Sequence, residues 1–191
     1  SGKFEIKLLS QIQLTSNPDF IFTGDFNKDS LPDFGTINRT EDGISTLSII
    51  ISSSKQIGIG EYEIEYTKRD NIDLPNNAVF ADINDLNSDG NVDILISSLN
   101  TQKPLYLLKG VGEGFFLPQD LSLGILNLNK GIIMSLIRDV NSDGYLDIIS
   151  LLKDNNQIYF FIGTETEFSF VWDEAKVIGQ TNGRLNGPFK M

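Results

Sequence analysis

Short apolar runs recur along this chain, and each stops at a polar loop. Phe20–Phe22, Val79–Ala81 and Ile132–Met134 continuing through Leu136-Ile137 come before such loops. Phe34–Ile37, Ile94–Ile96 and Ile148-Ile149 come after them. Runs this short, rich in Ile, Phe and Val and bounded by turn residues, predict buried strands. Further strands are predicted near Ser45–Ile51 and Tyr62–Tyr66, Leu105–Leu108 and Gly114–Leu117, and Gln157–Ile162 and Glu167–Trp172. Turn residues punctuate them at Glu41–Gly43, Gly110–Gly114 and Asp154–Asn156. No long helical period competes, so the expectation is an all-β chain of three units with about four strands each.

The polar loops are copies of one another. They run Asp25–Asp33, Asp85–Asp93 and Asp139–Asp147, and each reads Asp-x-Asn-x-Asp-x-x-x-Asp. The starts lie 60 and 54 residues apart. A repeat of this period predicts stacked supersecondary units. The units are expected at about 18–76, 77–131 and 132–180 within a single repeat domain spanning 1–191. Residues 1–17 are expected to add an edge strand, and 181–191 an irregular tail.

Oxygen side chains at loop positions one, three, five and nine suit a hard cation. Calcium takes six to eight oxygens and tolerates irregular geometry, whereas magnesium prefers to keep its water. The candidate ligands are Asp25, Asn27, Asp29 and Asp33; Asp85, Asn87, Asp89 and Asp93; and Asp139, Asn141, Asp143 and Asp147. Carbonyls at position seven, from Leu31, Asn91 and Tyr145, would add a ligand to each. Gly90 and Gly144 permit the positive φ of a sharp turn at position six. The first loop has Ser30 there, with Lys28 and Pro32 beside it, and is the least favourable of the three. The alternative is a polar turn closed by Asx-type hydrogen bonds, with no ion. An EF-hand is rejected: position twelve is Thr36, Ile96 or Ser150, and strands replace the flanking helices.

Composition narrows the chemistry. The 191 residues contain no Cys and no His, which removes thiol nucleophiles, imidazole catalysis, Cys/His zinc sites and disulfides. Catalysis would have to rest on carboxylates, and no enzyme is expected. Net charge is −11, with no basic patch, which argues against nucleic acid. Each loop carries three carboxylates, and three divalent ions would bring the formal charge to −5. No signal peptide is visible and no apolar run approaches membrane-spanning length, so membrane insertion is not expected. Glu61, Glu63 and Glu65 read as one solvated strand face. Gly110–Gly114 reads as a hairpin turn, not a phosphate cradle. Asn38-Arg39-Thr40 forms a glycosylation sequon.

The loops, the strands and the 54–60-residue period resemble FG-GAP (VCBS-type) repeats, the blades of integrin α-subunit-like β-propellers. Leu107–Phe116 is similar to that family's strand, Gly-rich turn and Phe strand, and Ile162–Phe168 is a looser version. The resemblance covers about residues 18–175. It implies about three four-stranded antiparallel propeller-like blades, a partial β-propeller, with structural calcium in each metal loop at one rim. Three blades do not close a ring. The resemblance therefore implies a piece of a larger propeller, completion by other chains, or an open stack. It also implies an extracellular or cell-surface adhesion module for a protein or carbohydrate ligand. A lectin-like propeller and a non-catalytic accessory domain or scaffold subunit remain open alternatives.

Overall fold

In the computed structural model, the described residues are 11–14, 16–121, 129–153, 158–166 and 168–172. Among them there is no helix, and the strands form three antiparallel sheets. The first contains β1 (Pro18–Gly24), β2 (Asp33–Arg39), β3 (Ser45–Gly58), β4 (Glu61–Lys68) and β5 (Ile72–Leu74). The second contains β6 (Ala78–Asn84), β7 (Asp93–Ser98), β8 (Leu105–Gly110) and β9 (Phe116–Gln119). The third contains β10 (Ile132–Arg138), β11 (Asp147–Leu152), β12 (Ile158–Gly163) and β13 (Phe170–Trp172). Each sheet is a meander in chain order.

One expectation needs correction. The first sheet has five strands, because the long β3 pairs twice on one side. Ile50–Gly58 takes β4, and Ser45–Leu47 takes β5. No edge strand appears over 11–14 or 16–17. Residues 1–10 and the expected tail at 181–191 lie outside the described residues, as does Glu167 of the last predicted strand. The glutamate strand is β4, and Glu61, Glu63 and Glu65 are all solvent-exposed. The hairpin reading of Gly110–Gly114 holds. Val111 N–H donates to the Phe115 carbonyl, and Gly112, Glu113 and Gly114 all have positive φ.

The sheets stack face on face in a repeating order. Phe20, Phe22, Ile37, Leu47, Ile49 and Ile51 form the front of the first sheet. They pack with Ala81, Ile94 and Ile96 on the back of the second. Leu95 and Leu105 on the front of the second sheet pack with Ile137, Ile148 and Phe161 on the back of the third. The middle sheet is covered on both sides. That is why β7 is buried at every residue and lacks the alternation of a one-faced strand. Polar ties cross the joints. Gly114 N–H donates to the Phe26 carbonyl at 3.0 Å, and Ile137 N–H donates to Asp82 Oδ2 at 2.8 Å. Rings join β1 to β6, with Phe20 and Phe80 centroids 4.8 Å apart.

Asn38 is fully buried, and its amide donates to Ser48 Oγ at 2.9 Å, so the sequon is unavailable for a glycan. Gly131 has a different role. A Cβ there would stand 2.5–2.7 Å from the backbone of Leu99 in the β7–β8 connection, so the chain entering β10 of the third sheet passes tightly against the second. Backbone does not yield as a side-chain end does. Gly131→Ala should therefore lower unfolding free energy by about 2 kcal/mol in urea titration, the scale of overpacking. An unchanged midpoint would mean that the two units do not approach so closely.

Candidate metal loops

Each loop joins the first two strands of its sheet, β1–β2, β6–β7 and β10–β11. The strand register fixes both ends, because Gly24 pairs with Asp33, Asn84 with Asp93 and Arg138 with Asp147. Between those ends the chain takes one path three times. Position six is left-handed at Ser30 (φ 66°), Gly90 (82°) and Gly144 (91°). Position four is left-handed too, at Lys28 (63°), Ser88 (58°) and Ser142 (62°). A non-Gly residue there is strained. Ser30 thus meets the same demand as the glycines at higher conformational cost, and the first loop keeps the common backbone.

The side chains are wired alike. The first aspartate accepts the N–H of position six: Ser30 to Asp25 at 3.0 Å, Gly90 to Asp85 at 2.8 Å, Gly144 to Asp139 at 3.1 Å. The asparagine amide donates to the position-five carboxylate, Asn27 to Asp29, Asn87 to Asp89 and Asn141 to Asp143, at 2.8–3.0 Å. That carboxylate's other oxygen accepts the N–H of Leu31, Asn91 or Tyr145 at 2.8–2.9 Å. The third loop differs at one bond, where Ser142 N–H rather than Asp143 N–H reaches Asp139 Oδ1.

Asp33, Asp93 and Asp147 stand apart from the other loop acids. All three are completely buried. One oxygen accepts the N–H of loop position two, from Phe26, Leu86 or Val140, at 2.7–2.9 Å. The other accepts an N–H from the third strand, from Ser52, Gly110 or Gly163, at 2.8–2.9 Å. The ninth position is therefore a clasp that binds loop, second strand and third strand together. From the sequence this residue was a candidate ligand, and the clasp was missed. The signal was present in the spacing, since an acid opening a buried apolar strand needs partners.

Electrostatics separate the two kinds of acid. Burial pushes the Asp93 carboxyl up to about 6, opposed by the Gly110 and Leu86 N–H groups and assisted by the Asp89 and Asp85 charges. Burial raises Asp33 and Asp147 in the same way. Asp89 moves oppositely, down to about 2, chiefly because the Asn91 N–H stabilises its charge, with Asn87 and Lys109 adding to that. Each loop thus holds a crowded negative set around a buried acid that ionises reluctantly.

The donor set fits a hard cation by its chemistry, since every candidate side chain offers oxygen and most carboxylate oxygens keep a spare lone pair. Among the described residues, however, no three acidic side chains converge as a ready cage. The loop N–H groups hold the position-one and position-five carboxylates in place instead.

Two outcomes follow from the clasp. Asp93→Asn puts an amide N–H₂ against one of two backbone N–H donors and should destabilise by about 2–3 kcal/mol, with or without calcium. Chemical denaturation in chelator checks this, and a loss seen only with calcium would make Asp93 a ligand alone. The second concerns pH. The raised Asp93 carboxyl adds stability that is complete below 3.8 and lost as pH rises through about 6, and Asp33 and Asp147, also raised, act in the same direction. In chelator, stability should therefore grow between pH 7.5 and pH 5, and calcium should reduce that gain. Steadily falling stability over this range in chelator would contradict the account. No family model matches the chain and no curated protein matches its sequence, so chemistry and geometry carry the reading of these loops.

Proposed function

We propose that this chain is a calcium-binding module of FG-GAP-like repeats, set in a propeller-like stack, that mediates adhesion or ligand binding outside the cell. The observation that carries the reading is the triple recurrence of one loop. Its residue types, its left-handed positions and its carboxylate-to-backbone bonds recur together. A polar turn needs no such uniformity, and three carboxylates in nine residues repel one another unless a cation offsets them. The side chains that would hold the ions are Asp25, Asn27, Asp29 and Asp33; Asp85, Asn87, Asp89 and Asp93; and Asp139, Asn141, Asp143 and Asp147. The carbonyls of Leu31, Asn91 and Tyr145 would join them. Bound calcium would neutralise the repulsion and hold the loop rigid, as a structural ion with no catalytic part.

Position supports a shared rim. The Lys28 ammonium of the first loop reaches to 3.4 Å from where a Cβ on Gly90 would stand. Residues of the second and third loops, Leu86–Ser88 and Gly144–Leu146, line one cavity of about 260 Å³. A face built from three loops and their clefts suits a protein or carbohydrate ligand.

One observation favours completion by a further sheet, in a longer propeller or scaffold. The front of the third sheet repeats the pattern that is covered on the first two. Met134, Leu151 and Ile158 there are 39%, 41% and 37% exposed, whereas Leu95 and Leu107, on the front of the second sheet, are fully buried. Exposed apolar sheet of this kind calls for a partner.

Thermal melting tests the calcium reading. A ligand that binds only the folded chain must stabilise it. Millimolar calcium should raise Tm over chelator by at least about 4 °C, roughly 1–2 kcal/mol for a chain of this size. Asp143→Ala should remove a clear part of that rise, and an identical Tm in calcium and chelator would sink the reading.

A further inference from the structure

Lys109 breaks the repeat at the second loop. It lies on β8, one residue before Gly110, whose N–H is held by Asp93. The matching positions, before Ser52 and Gly163, are Ile51 and Ile162. All three sit on the front of their sheets. Ile51 fills the joint with the second sheet, as an apolar residue there should. Lys109 instead turns its ammonium onto the loop. Its Nζ is 3.2 Å from Asp89 Oδ2 and 5.7 Å from the ring centroid of Phe168. Phe168 is a buried residue of the third sheet's turn, and it lines the cavity between the second and third loops. Lys28 brings a second ammonium over Gly90. Among the described residues, no ion pair is formed by Asp29 of the first loop or Asp143 of the third.

We propose that Lys109 is a built-in counter-ion that competes with a divalent cation for Asp89, which makes the second loop a weaker site than the third and couples its filling to the joint with the third sheet. The inference rests on the calcium reading above and names the regulation of one of its sites. Asp89 occupies position five, a direct ligand position. An ammonium bonded to a ligand oxygen would lie within a few ångströms of the ion, where like charges repel strongly even at high effective dielectric. The pair is itself partly exposed, at 29% and 30% of its two side chains, and contributes little to folding. Its effect therefore falls on ion binding. Phe168 gives the displaced ammonium a second resting place through its ring face. Calcium arriving at Asp89 would release Lys109 toward the third sheet, so the second and third loops should sense each other across their common cavity.

The two hypotheses separate in one experiment. The ¹⁵N-labelled chain is titrated with calcium chloride to on the order of 10 mM, above the range of weak extracellular modules. The amides of Ser30, Gly90 and Gly144 report the three loops individually. In the unmodified chain Gly144 should respond at lower calcium than Gly90. Lys109→Met should move the Gly90 midpoint down by about tenfold and leave Gly144 nearly in place, while Lys109→Arg should keep the Gly90 lag. Lys103→Met, which removes an ammonium resting on Tyr106 rather than on a loop, should change neither. The Phe168 ring signals should shift along with Gly90 in the unmodified chain. If Gly144 responds and the Gly90 midpoint is the same in Lys109→Met, the counter-ion proposal fails and the calcium reading stands. If no loop amide responds in any variant, both fail. Lys109→Gln repeats the comparison should Lys109→Met not fold.

Discussion

Asp33, Asp93 and Asp147 are buried carboxylates whose two oxygens each receive an N–H from a different part of the sheet. One bond closes the loop behind the second strand, and the other reaches the third strand. An asparagine of similar size cannot accept both, because its amide nitrogen only donates. Removing the acid would leave two buried N–H groups without partners, at roughly 1–3 kcal/mol each. The geometry of the loop follows from this clasp. With its end pinned and its start fixed by the strand register, eight residues must turn in a small space. They do so by placing positions four and six in the left-handed region, even where the residue is Ser or Lys.

The clasp also sets the electrostatic problem that the loop must solve. A buried acid gains two N–H bonds but loses hydration, and the acids at positions one and five raise its pKa further. The loop N–H groups relieve part of the strain by bonding the outer carboxylates. A cation would relieve the rest. In the second loop a lysine already supplies some positive charge, and that gives three copies of one motif unequal electrostatics. The copies resemble one another in backbone and differ in what surrounds them.

Much of this was legible in the residues. The alternation of short apolar runs with turn residues gave the all-β class, and the spacing of the three loops gave the three sheets. The strand ends were less legible. β3 runs to Gly58, seven residues past its expected end at Ile51, because β4 pairs along a mostly polar stretch whose Ser54–Ile57 side chains face solvent and carry no alternating apolar signal. β5 was missed because three residues offer no period. The edge strand expected before Pro18 is not present in its described part, and an apolar-looking segment alone could not decide whether a sheet edge was free to receive it. At the loops, the residue types were readable, but the roles were not. Glycine at position six marked one left-handed residue, while Ser88 and Ser142 gave no hint of another. Lys109 reads as an ordinary strand lysine until the third sheet brings Phe168 beside it.

The central claim is that these loops hold calcium, one ion in each, on a frame fixed by the buried aspartates. Native mass spectrometry of the chain from calcium-containing buffer counts the ions directly. The account predicts bound species reaching three calcium ions per chain, with the third added at the highest concentration. A spectrum that shows only the metal-free mass in millimolar calcium would contradict it.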